Sequence, residues 1–320
     1  MNPWLSLLVG LVVLYYGAQA LVKGGAALAL RLGLTPLVIG LTVIAYGTSS
    51  PEMVVSVQAS LSGNGAISIG NVIGSNICNI ALILGLAACV TPLTASVQII
   101  RREVPIMIGV SLVVALMLLD ARLARWEGAL LLVGCVIYTV MTVRQARAET
   151  AARAANAAEQ GFANEIGPVP AKLPRSLGRV VGGLAALMIG SHFFVDGAVT
   201  LAASWGLSQV VIGLTIVAVG TSMPELATSL VAAVRRESDV AIGNVVGSNI
   251  FNVLGILGLA TVIAPVEVPG LSRVDLAVML ATAIALLPLV KTGGRITRIE
   301  GVFLLAIYAG YTAWLIDRQA

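Results

Sequence analysis

Long apolar runs separated by short polar breaks make up most of the chain. A membrane-spanning helix needs about 20 mostly apolar residues. The charged or turn-rich breaks leave runs of about this length at residues 3–29, 36–61, 66–92, 103–120, 126–144, 177–203, 209–234, 240–264, 274–291 and 299–316. The pattern therefore predicts an all-α membrane protein with ten transmembrane helices. No Lys or Arg precedes the first run, whereas a secretory signal has a basic segment there, so we interpret this run as a retained first span.

The composition agrees with this class. Hydrophobic residues make up 58% of the chain and charged residues 11%, with a mean hydropathy of +0.99. Soluble domains average about 25% charged residues, so lipid is the solvent for most of this chain. The net charge of +4 is then a property of the loops and does not indicate nucleic-acid binding. Cys78, Cys89 and Cys135 all lie in apolar runs without metal-ligand spacing, which is typical of buried free thiols.

Ten spans divide the loops into two sets, and the basic residues are unevenly distributed between them. One set contains Lys23, Arg31, Arg101, Arg102, Arg144, Arg147, Arg153, Lys172, Arg175, Arg179, Arg235, Arg236, Lys291, Arg295 and Arg298. The other set contains Arg122, Arg125, Arg273 and Arg318. Because basic residues accumulate in cytoplasmic loops, we expect the first set to be cytoplasmic and both termini to lie outside.

The longest stretch between predicted spans is the cytoplasmic loop 145–174. It is Ala-rich at first and is then interrupted by prolines. We expect a short interfacial helix followed by a linker. The stretch is too short to hold a folded regulatory domain.

An internal repeat relates the two halves of the chain. Residues 38–86 contain VIGLTVIAYGTSSPE, IGNVIGSNICN and ILGL, and residues 211–259 contain VIGLTIVAVGTSMPE, IGNVVGSNIFN and ILGL. All matched positions differ by 173, as 225 − 52 = 173 shows for the glutamates. Five spans per half mean that the second copy enters the membrane from the opposite face. We therefore expect inverted-topology repeats at 1–145 and 176–320, joined by a linker at 146–175, with a substrate site near the midplane where they meet.

Two glutamates lie far from the ends of their predicted spans, Glu52 in the first copy and Glu225 in the second. A charge at the bilayer centre costs a few kcal/mol or more and almost always faces a cavity or a partner. No Lys or Arg lies within the inner part of any predicted span. The pair therefore predicts a cation site of formal charge −2. The alternative is that both carboxyl groups are protonated and join helices by hydrogen bonds.

A proline directly precedes each glutamate, Pro51 and Pro224. Proline has no N–H, and its ring crowds the carbonyl four residues earlier. We therefore expect broken helices at the midplane, with the backbone open at 45–49 and 218–222. Freed carbonyls in the membrane core need a partner, and a dehydrated cation is one. A simple kink is the alternative.

The polar residues around these breaks offer only oxygen ligands. Thr48 and Glu52 are four residues apart and share a face if the helix continues. The same spacing recurs in the pairs Ser75–Asn79 and Ser248–Asn252. Hard cations such as Ca²⁺ and Na⁺ take oxygen ligands, whereas Zn²⁺ prefers imidazole or thiolate. His192 is the only histidine, and the polar residues are duplicated, so an intramembrane metalloprotease or serine hydrolase is disfavoured.

The segments GTSSPE and GTSMPE, each followed by GNVxGSNIxN, resemble the two alpha-repeats of the cation/Ca²⁺ exchanger superfamily. The branch to which they are most similar is the prokaryotic sodium/calcium antiporters. This resemblance implies a secondary antiporter that exchanges Na⁺ for Ca²⁺ by alternating access in a prokaryotic inner membrane. Exchange of three Na⁺ for one Ca²⁺, as the family implies, is electrogenic. The resemblance also implies that spans 1 and 6 slide across a rigid core. The small residues Gly24, Gly25 and Gly197 in these spans would allow such close sliding contacts.

The resemblance also implies a set of ligands. By motif position these are Glu52, Glu225 and the carbonyls of Thr48 and Thr221 for Ca²⁺, with Ala45, Ser49, Ser75, Ala218, Ser222 and Ser248 added for Na⁺ and Asn79 and Asn252 lining the middle. Na⁺ and Ca²⁺ would be transported substrates rather than cofactors, and neither an obligate protein partner nor an enzymatic activity is implied. Some relatives, including potassium-dependent ones, carry Asp at the position of Asn252. Exchange of Ca²⁺ for H⁺, potassium-dependent exchange and a cation channel remain the alternatives.

Overall fold

The computed structural model describes residues 2–159, 173–205, 218–267 and 273–319. Within these ranges the main elements are helices. They are α1 (Pro3–Leu32), α2 (Pro36–Thr48), α3 (Ser50–Leu61), α4 (Gly65–Val90), α5 (Ile99–Asp120), α6 (Arg125–Glu159), α7 (Leu173–Ser204), α8 (Ala218–Thr221), α9 (Met223–Val234), α10 (Ser238–Ile263), α11 (Arg273–Lys291) and α12 (Arg298–Gln319).

Eight of the described helices are long and apolar enough to cross a membrane, and the bent pair α2–α3 makes up to nine. The predicted span 209–234 is described only in part, as α8 and α9, because residues 206–217 lie outside the described ranges. The described chain is therefore an α-helical membrane protein with eight or nine spans. The count of ten stays a prediction.

The helix α1 shows how the sequence sets the element ends. Asn2 accepts a hydrogen bond from the Trp4 amide at 2.9 Å through its side chain, and Pro3 occupies the first helical position. Both features favour a helix start, because the first amides of a helix lack internal partners. Gly33 ends the helix with φ 63°, a left-handed conformation that glycine adopts at low cost.

The interfacial helix predicted after residue 145 is not a separate element. Helix α6 begins at Arg125 and continues without a break to Glu159. Alanine has the highest helix propensity, so the Ala-rich segment prolongs the helix beyond the end of its apolar run. The Pro-containing part of the predicted linker, from residue 160 to residue 172, lies outside the described residues.

In the described part of the chain, four two-residue strands are the exceptions to the all-α prediction. The strand β1 (Leu93–Thr94) pairs antiparallel with β4 (Arg295–Ile296), and β2 (Arg122–Leu123) pairs antiparallel with β3 (Val266–Glu267). β1 and β3 are displaced by 266 − 93 = 173 positions, and so are β2 and β4. Each bridge thus joins a loop of the first half to a loop of the second half.

Helices α4 and α10 lie at the centre of the described structure. In the most apolar window of each, 78% of the residues are buried inside the protein, against 11% for α12. Each helix contains a π-helical stretch, Cys78–Leu84 in α4 and Asn252–Leu257 in α10. These stretches begin at or next to the asparagines that the sequence singles out.

Helices α1 and α7 pack against each other along glycines spaced seven residues apart, at positions 10, 17 and 24 in α1 and 183, 190 and 197 in α7. A Cβ atom at Gly10 would lie 2.6 Å from the Phe194 nitrogen, and one at Gly183 would lie 2.7 Å from the Leu21 nitrogen. The backbones therefore approach closely, as small residues allow between membrane helices. Gly24 and Gly197 belong to this contact, whereas Gly25 faces Ile39 and Ile44 of α2.

Candidate cation-binding site

The two predicted helix breaks have the same local geometry. The axes of α2 and α3 are bent by 48° at Ser49, which has φ −80° and ψ 10°. Ser222 separates α8 from α9 with φ −87° and ψ 10°. Pro51 and Pro224 occupy the first turns of the helices that follow, where a missing N–H costs no helical hydrogen bond. Each break thus places its glutamate in the first turn of a new helix.

Each glutamate accepts a hydrogen bond from the serine of the opposite break. Ser49 Oγ donates to Glu225 Oε1 at 2.7 Å, and Ser222 Oγ donates to Glu52 Oε1 at 2.9 Å. Both carboxylates are 1% exposed. The two breaks are therefore joined to each other directly, through two reciprocal pairs that are displaced by 173 positions.

The other predicted residues of the first break are turned toward α10. The Ala45 carbonyl oxygen accepts from the Ser49 amide at 3.0 Å, from Thr48 Oγ1 at 3.2 Å and from Ser248 Oγ at 3.5 Å. Thr48 Oγ1 also lies 3.2 Å from Asn244 Oδ1. The chain bends between Thr48 and Glu52, so these two residues do not belong to one continuous helix. The Thr48 hydroxyl instead faces Asn244 of α10.

In the second break, Ser222 Oγ also lies 3.5 Å from Ser75 Oγ, so two of the expected ligands meet across the two halves. Ala218 and Thr221 form the two ends of α8. The Gly220 carbonyl, which the proline frees, accepts a hydrogen bond from Ser191 Oγ of α7 at 2.7 Å. One freed carbonyl therefore has a protein partner.

The asparagines form a network between α4 and α10 that includes two residues missed by the sequence analysis. Asn79 Nδ2 donates to Asn249 Oδ1 at 3.0 Å, and Asn252 Nδ2 donates to Asn76 Oδ1 at 3.0 Å. Asn76 and Asn249 in turn donate to each other's backbone carbonyls, at 3.3 and 3.2 Å. Both stand in the repeated GSN triplet at the same displacement of 173, which is the signal that could have identified them.

Two further asparagines outside the prediction support the glutamates. Asn71 Nδ2 donates to the Glu52 carbonyl oxygen at 3.1 Å and to Ser56 Oγ at 2.9 Å. Asn244 Nδ2 donates to the Glu225 carbonyl oxygen at 3.4 Å and to Ser229 Oγ at 3.0 Å. Each amide ties the first turn after a proline to the neighbouring central helix.

Four buried acceptor oxygens of this cluster have no hydrogen-bond partner in the described part of the chain. They are Oε2 of Glu52 and Glu225 and Oδ1 of Asn79 and Asn252, and each of the four residues is 1% exposed. The ion pairs found among the described residues, Arg102–Glu103 and Arg122–Glu267, do not involve them. An unpaired buried charge is strongly unfavourable. Carboxylate and amide oxygens without donors are instead suited to a hard cation such as Ca²⁺.

Comparison with known proteins is consistent with this chemistry. The profile of the family described as "Sodium/calcium exchanger protein" matches residues 2–144 and 175–316. The chain is 32% identical to the sodium/calcium exchanger MaX1 of Methanosarcina acetivorans over 96% of this chain and 97% of that protein. It is 40% identical to the inner membrane protein YrbG of Escherichia coli over 87% of this chain and 85% of that protein.

A solved structure is also similar along nearly the whole chain. It is a structure of the sodium-calcium exchanger NCX_Mj, with a TM-score of 0.82 and 32% sequence identity, and the match covers 98% of both chains.

Proposed function

We propose that this chain, which belongs to the sodium/calcium exchanger protein family, is an antiporter that exchanges Na⁺ for Ca²⁺ across a prokaryotic inner membrane. The observation that carries the proposal is the pair of buried carboxylates with unpartnered Oε2 atoms. Na⁺ and Ca²⁺ both take oxygen ligands, and one Ca²⁺ or more than one Na⁺ can balance the two negative charges of this cluster. The protein acts as a transporter, and the ions are its substrates.

The ligands we assign are those of the two breaks and the two central helices. They are Glu52, Glu225, Ser49, Ser222, Ser75, Ser248, Asn79, Asn252 and the backbone carbonyls of Ala45, Thr48, Ala218 and Thr221. Ca²⁺ and Na⁺ compete for the same two carboxylates, because a site of formal charge −2 cannot bind Ca²⁺ and all the Na⁺ ions at the same time. Binding of one ion type therefore displaces the other.

The exchange moves charge across the membrane. Three Na⁺ against one Ca²⁺ would carry one net positive charge per cycle, and each charge responds to the potential by about 2.3 kcal/mol per 100 mV. Na⁺ entering down its gradient and the inside-negative potential then both favour Ca²⁺ extrusion. A neutral exchange would lack the second driving force.

The architecture we assign is ten spans in two inverted repeats, 1–145 and 176–320, with the loop bearing most basic residues in the cytoplasm and both termini outside. The reciprocal contacts between positions 173 apart support it, in the serine–glutamate pairs and in the two strand bridges. Secondary transporters of this design alternate access by moving one bundle against the rest. Helices α1 and α7, which pack on each other through glycines, are the mobile pair in this proposal.

The test is Ca²⁺ flux in proteoliposomes that contain the purified protein. Loaded Ca²⁺ should leave when Na⁺ is added outside, and Glu52→Gln should abolish the release. Glu149→Gln, on the exposed surface of α6, is the control and should transport as the wild type. If an imposed H⁺ gradient drives the release, H⁺ and not Na⁺ is the coupling ion. If the release requires K⁺, the exchange is potassium-dependent. Release without any counter-ion would indicate a channel.

A further inference from the structure

The two halves of the site differ at one wall. Tyr46 follows Ala45 in the first break, and the residue 173 positions later is Val219. Phe251 precedes Asn252 in α10, and the residue 173 positions earlier is Cys78. The pair Tyr46 and Phe251 therefore places an aromatic residue next to a proposed ligand in each half, whereas the counterpart pair Val219 and Cys78 has no aromatic residue.

These two rings are stacked. The ring centroids of Tyr46 and Phe251 lie 4.1 Å apart with an interplanar angle of 20°. Stacked aromatic pairs are stabilised beyond the area they bury. The stack joins the residue after the Ala45 carbonyl to the residue before the Asn252 side chain, so it links α2 directly to α10.

The hydroxyl of Tyr46 fixes the ring from its far end. Thr139 Oγ1 donates to the Cys135 carbonyl at 2.8 Å and lies 2.6 Å from the Tyr46 hydroxyl. Either hydroxyl can be the donor in this pair, and in both cases the Tyr46 ring is tied to α6. The Tyr46 carbonyl accepts from Ser50 Oγ at 3.2 Å. Tyr46 is thus held by α6 through its hydroxyl and by the first residue of α3 through its carbonyl.

The sequence around Phe251 is adapted to the ring. A Cβ atom at Gly255 would lie 2.5 Å from the Phe251 ring, and the counterpart of Gly255 in the first half is Leu82 (255 − 173 = 82). The pair Phe251 and Gly255 in α10 therefore corresponds to Cys78 and Leu82 in α4. At the counterpart pair, Val219 and Cys78, the aromatic neighbour comes from the outer helix α12, whose Tyr308 hydroxyl contacts the Cys78 thiol.

We propose that Tyr46 and Phe251 are positioning residues that hold the Ala45 carbonyl against Ser248 of α10, and that this asymmetric stack sets the affinity of the site for Na⁺ relative to Ca²⁺. The inference rests on the proposed Na⁺/Ca²⁺ exchange. One Ca²⁺ is attracted to the space between both carboxylates, whereas several Na⁺ ions repel each other and must spread to neutral oxygens. The Ala45 carbonyl, which lies 3.5 Å from Ser248 Oγ of α10, offers such a neutral oxygen.

The experiment measures Na⁺ and Ca²⁺ affinities of the purified protein by titration calorimetry, beside the Na⁺ and Ca²⁺ concentrations for half-maximal flux. Phe251→Leu removes the ring, and we expect it to weaken Na⁺ binding about three- to tenfold with a smaller change for Ca²⁺. The double variant Phe251→Cys with Gly255→Leu transplants the pair found at Cys78 and Leu82. It keeps the volume, removes the stack and should show the same shift.

Two controls separate positioning from general packing. Tyr46→Phe keeps the stack and loses the hydroxyl's contacts with Thr139 and the Cys135 thiol, so it should retain most of the Na⁺ affinity. Tyr308→Leu removes the aromatic residue that contacts Cys78, the counterpart of Phe251, and should leave the ratio of the Na⁺ and Ca²⁺ affinities unchanged. Unchanged Na⁺ affinity in both ring-removing variants would overturn the inference, and so would an equal loss for both ions. Failure of the wild type to drive Ca²⁺ flux with Na⁺ would instead refute the proposed exchange, whatever the variants do.

Discussion

Ser49 in the first half of the chain donates its hydroxyl proton to Glu225 Oε1 in the second half, at 2.7 Å. The reciprocal pair, Ser222 and Glu52, has the same arrangement at 2.9 Å. Neither carboxylate is therefore positioned by its own helix alone. A movement of one break against the other changes both hydrogen bonds at once, which couples the two halves of the site.

Ser49→Ala should raise the Ca²⁺ concentration for half-maximal transport by about tenfold or more, because hydrogen bonds to charged groups contribute about 1.5–3 kcal/mol. Ser222→Ala should have a similar effect, since its bond is the counterpart. Ser62→Ala is the matched control, because Ser62 lies at the exposed C-terminal end of α3. Ca²⁺ uptake into proteoliposomes across a range of Ca²⁺ concentrations measures the effect. Equal losses in all three variants would contradict the role of the two cross-pairs.

Asn252→Asp should shift the ion preference more than it affects folding. The substitution adds a carboxylate to the pair Glu52 and Glu225, so it favours the divalent cation over Na⁺. It also removes the amide that donates to Asn76 Oδ1. Asn79→Asp, the counterpart in α4, is the comparison. Flux measured against Na⁺, K⁺ and H⁺ gradients in turn is the readout, and selectivity identical to that of the wild type would argue against a central position for Asn252.

The sequence was sufficient to predict that Glu52 and Glu225 belong together, because their motifs repeat at one displacement. It could not show which serine meets which glutamate. Spacing of four residues reports neighbours within one helix, whereas the Ser49–Glu225 contact depends on how two broken helices face each other. Asn76 and Asn249 were overlooked for the same reason, since their partners lie 173 positions away.

Helix ends were less predictable than apolar runs. The apolar run predicts a span that ends near residue 144, but α6 continues to Glu159. The thickness of the bilayer limits the length of an apolar run. The helix propensity of the following residues determines how far the helix continues beyond it. In the Ala-rich segment these two limits differ, and the helix extends beyond the apolar run.

Asn244→Ala should lower the thermal stability of the purified protein. The substitution removes the donor to the Glu225 carbonyl and to Ser229 Oγ, and also the oxygen near Thr48. Leaving buried polar groups unsatisfied costs about 1–3 kcal/mol. Asn71→Ala should have a smaller effect, because Asn71 has no such contact with a threonine among its described bonds. Asn64→Ala, at an exposed position without a side-chain capping bond, is the control. Equal melting temperatures for Asn244→Ala and Asn64→Ala would refute the supporting role.

Gly183→Ala should separate α1 from α7 and slow transport. The added Cβ atom would lie 2.7 Å from the Leu21 nitrogen and 2.9 Å from the Gly17 carbonyl oxygen. Both are backbone atoms that cannot move aside alone, so the helices must part, and overpacking of this kind costs about 1–3 kcal/mol. Gly182→Ala is the matched control, since a Cβ atom there has nothing within 4 Å among the described residues. Initial rates of Na⁺-driven Ca²⁺ flux, compared with equilibrium Ca²⁺ affinity, distinguish two effects. A slower rate at unchanged affinity places this contact in the moving part of the cycle. A rate equal to that of Gly182→Ala would mean that the close approach of α1 and α7 is not needed for transport.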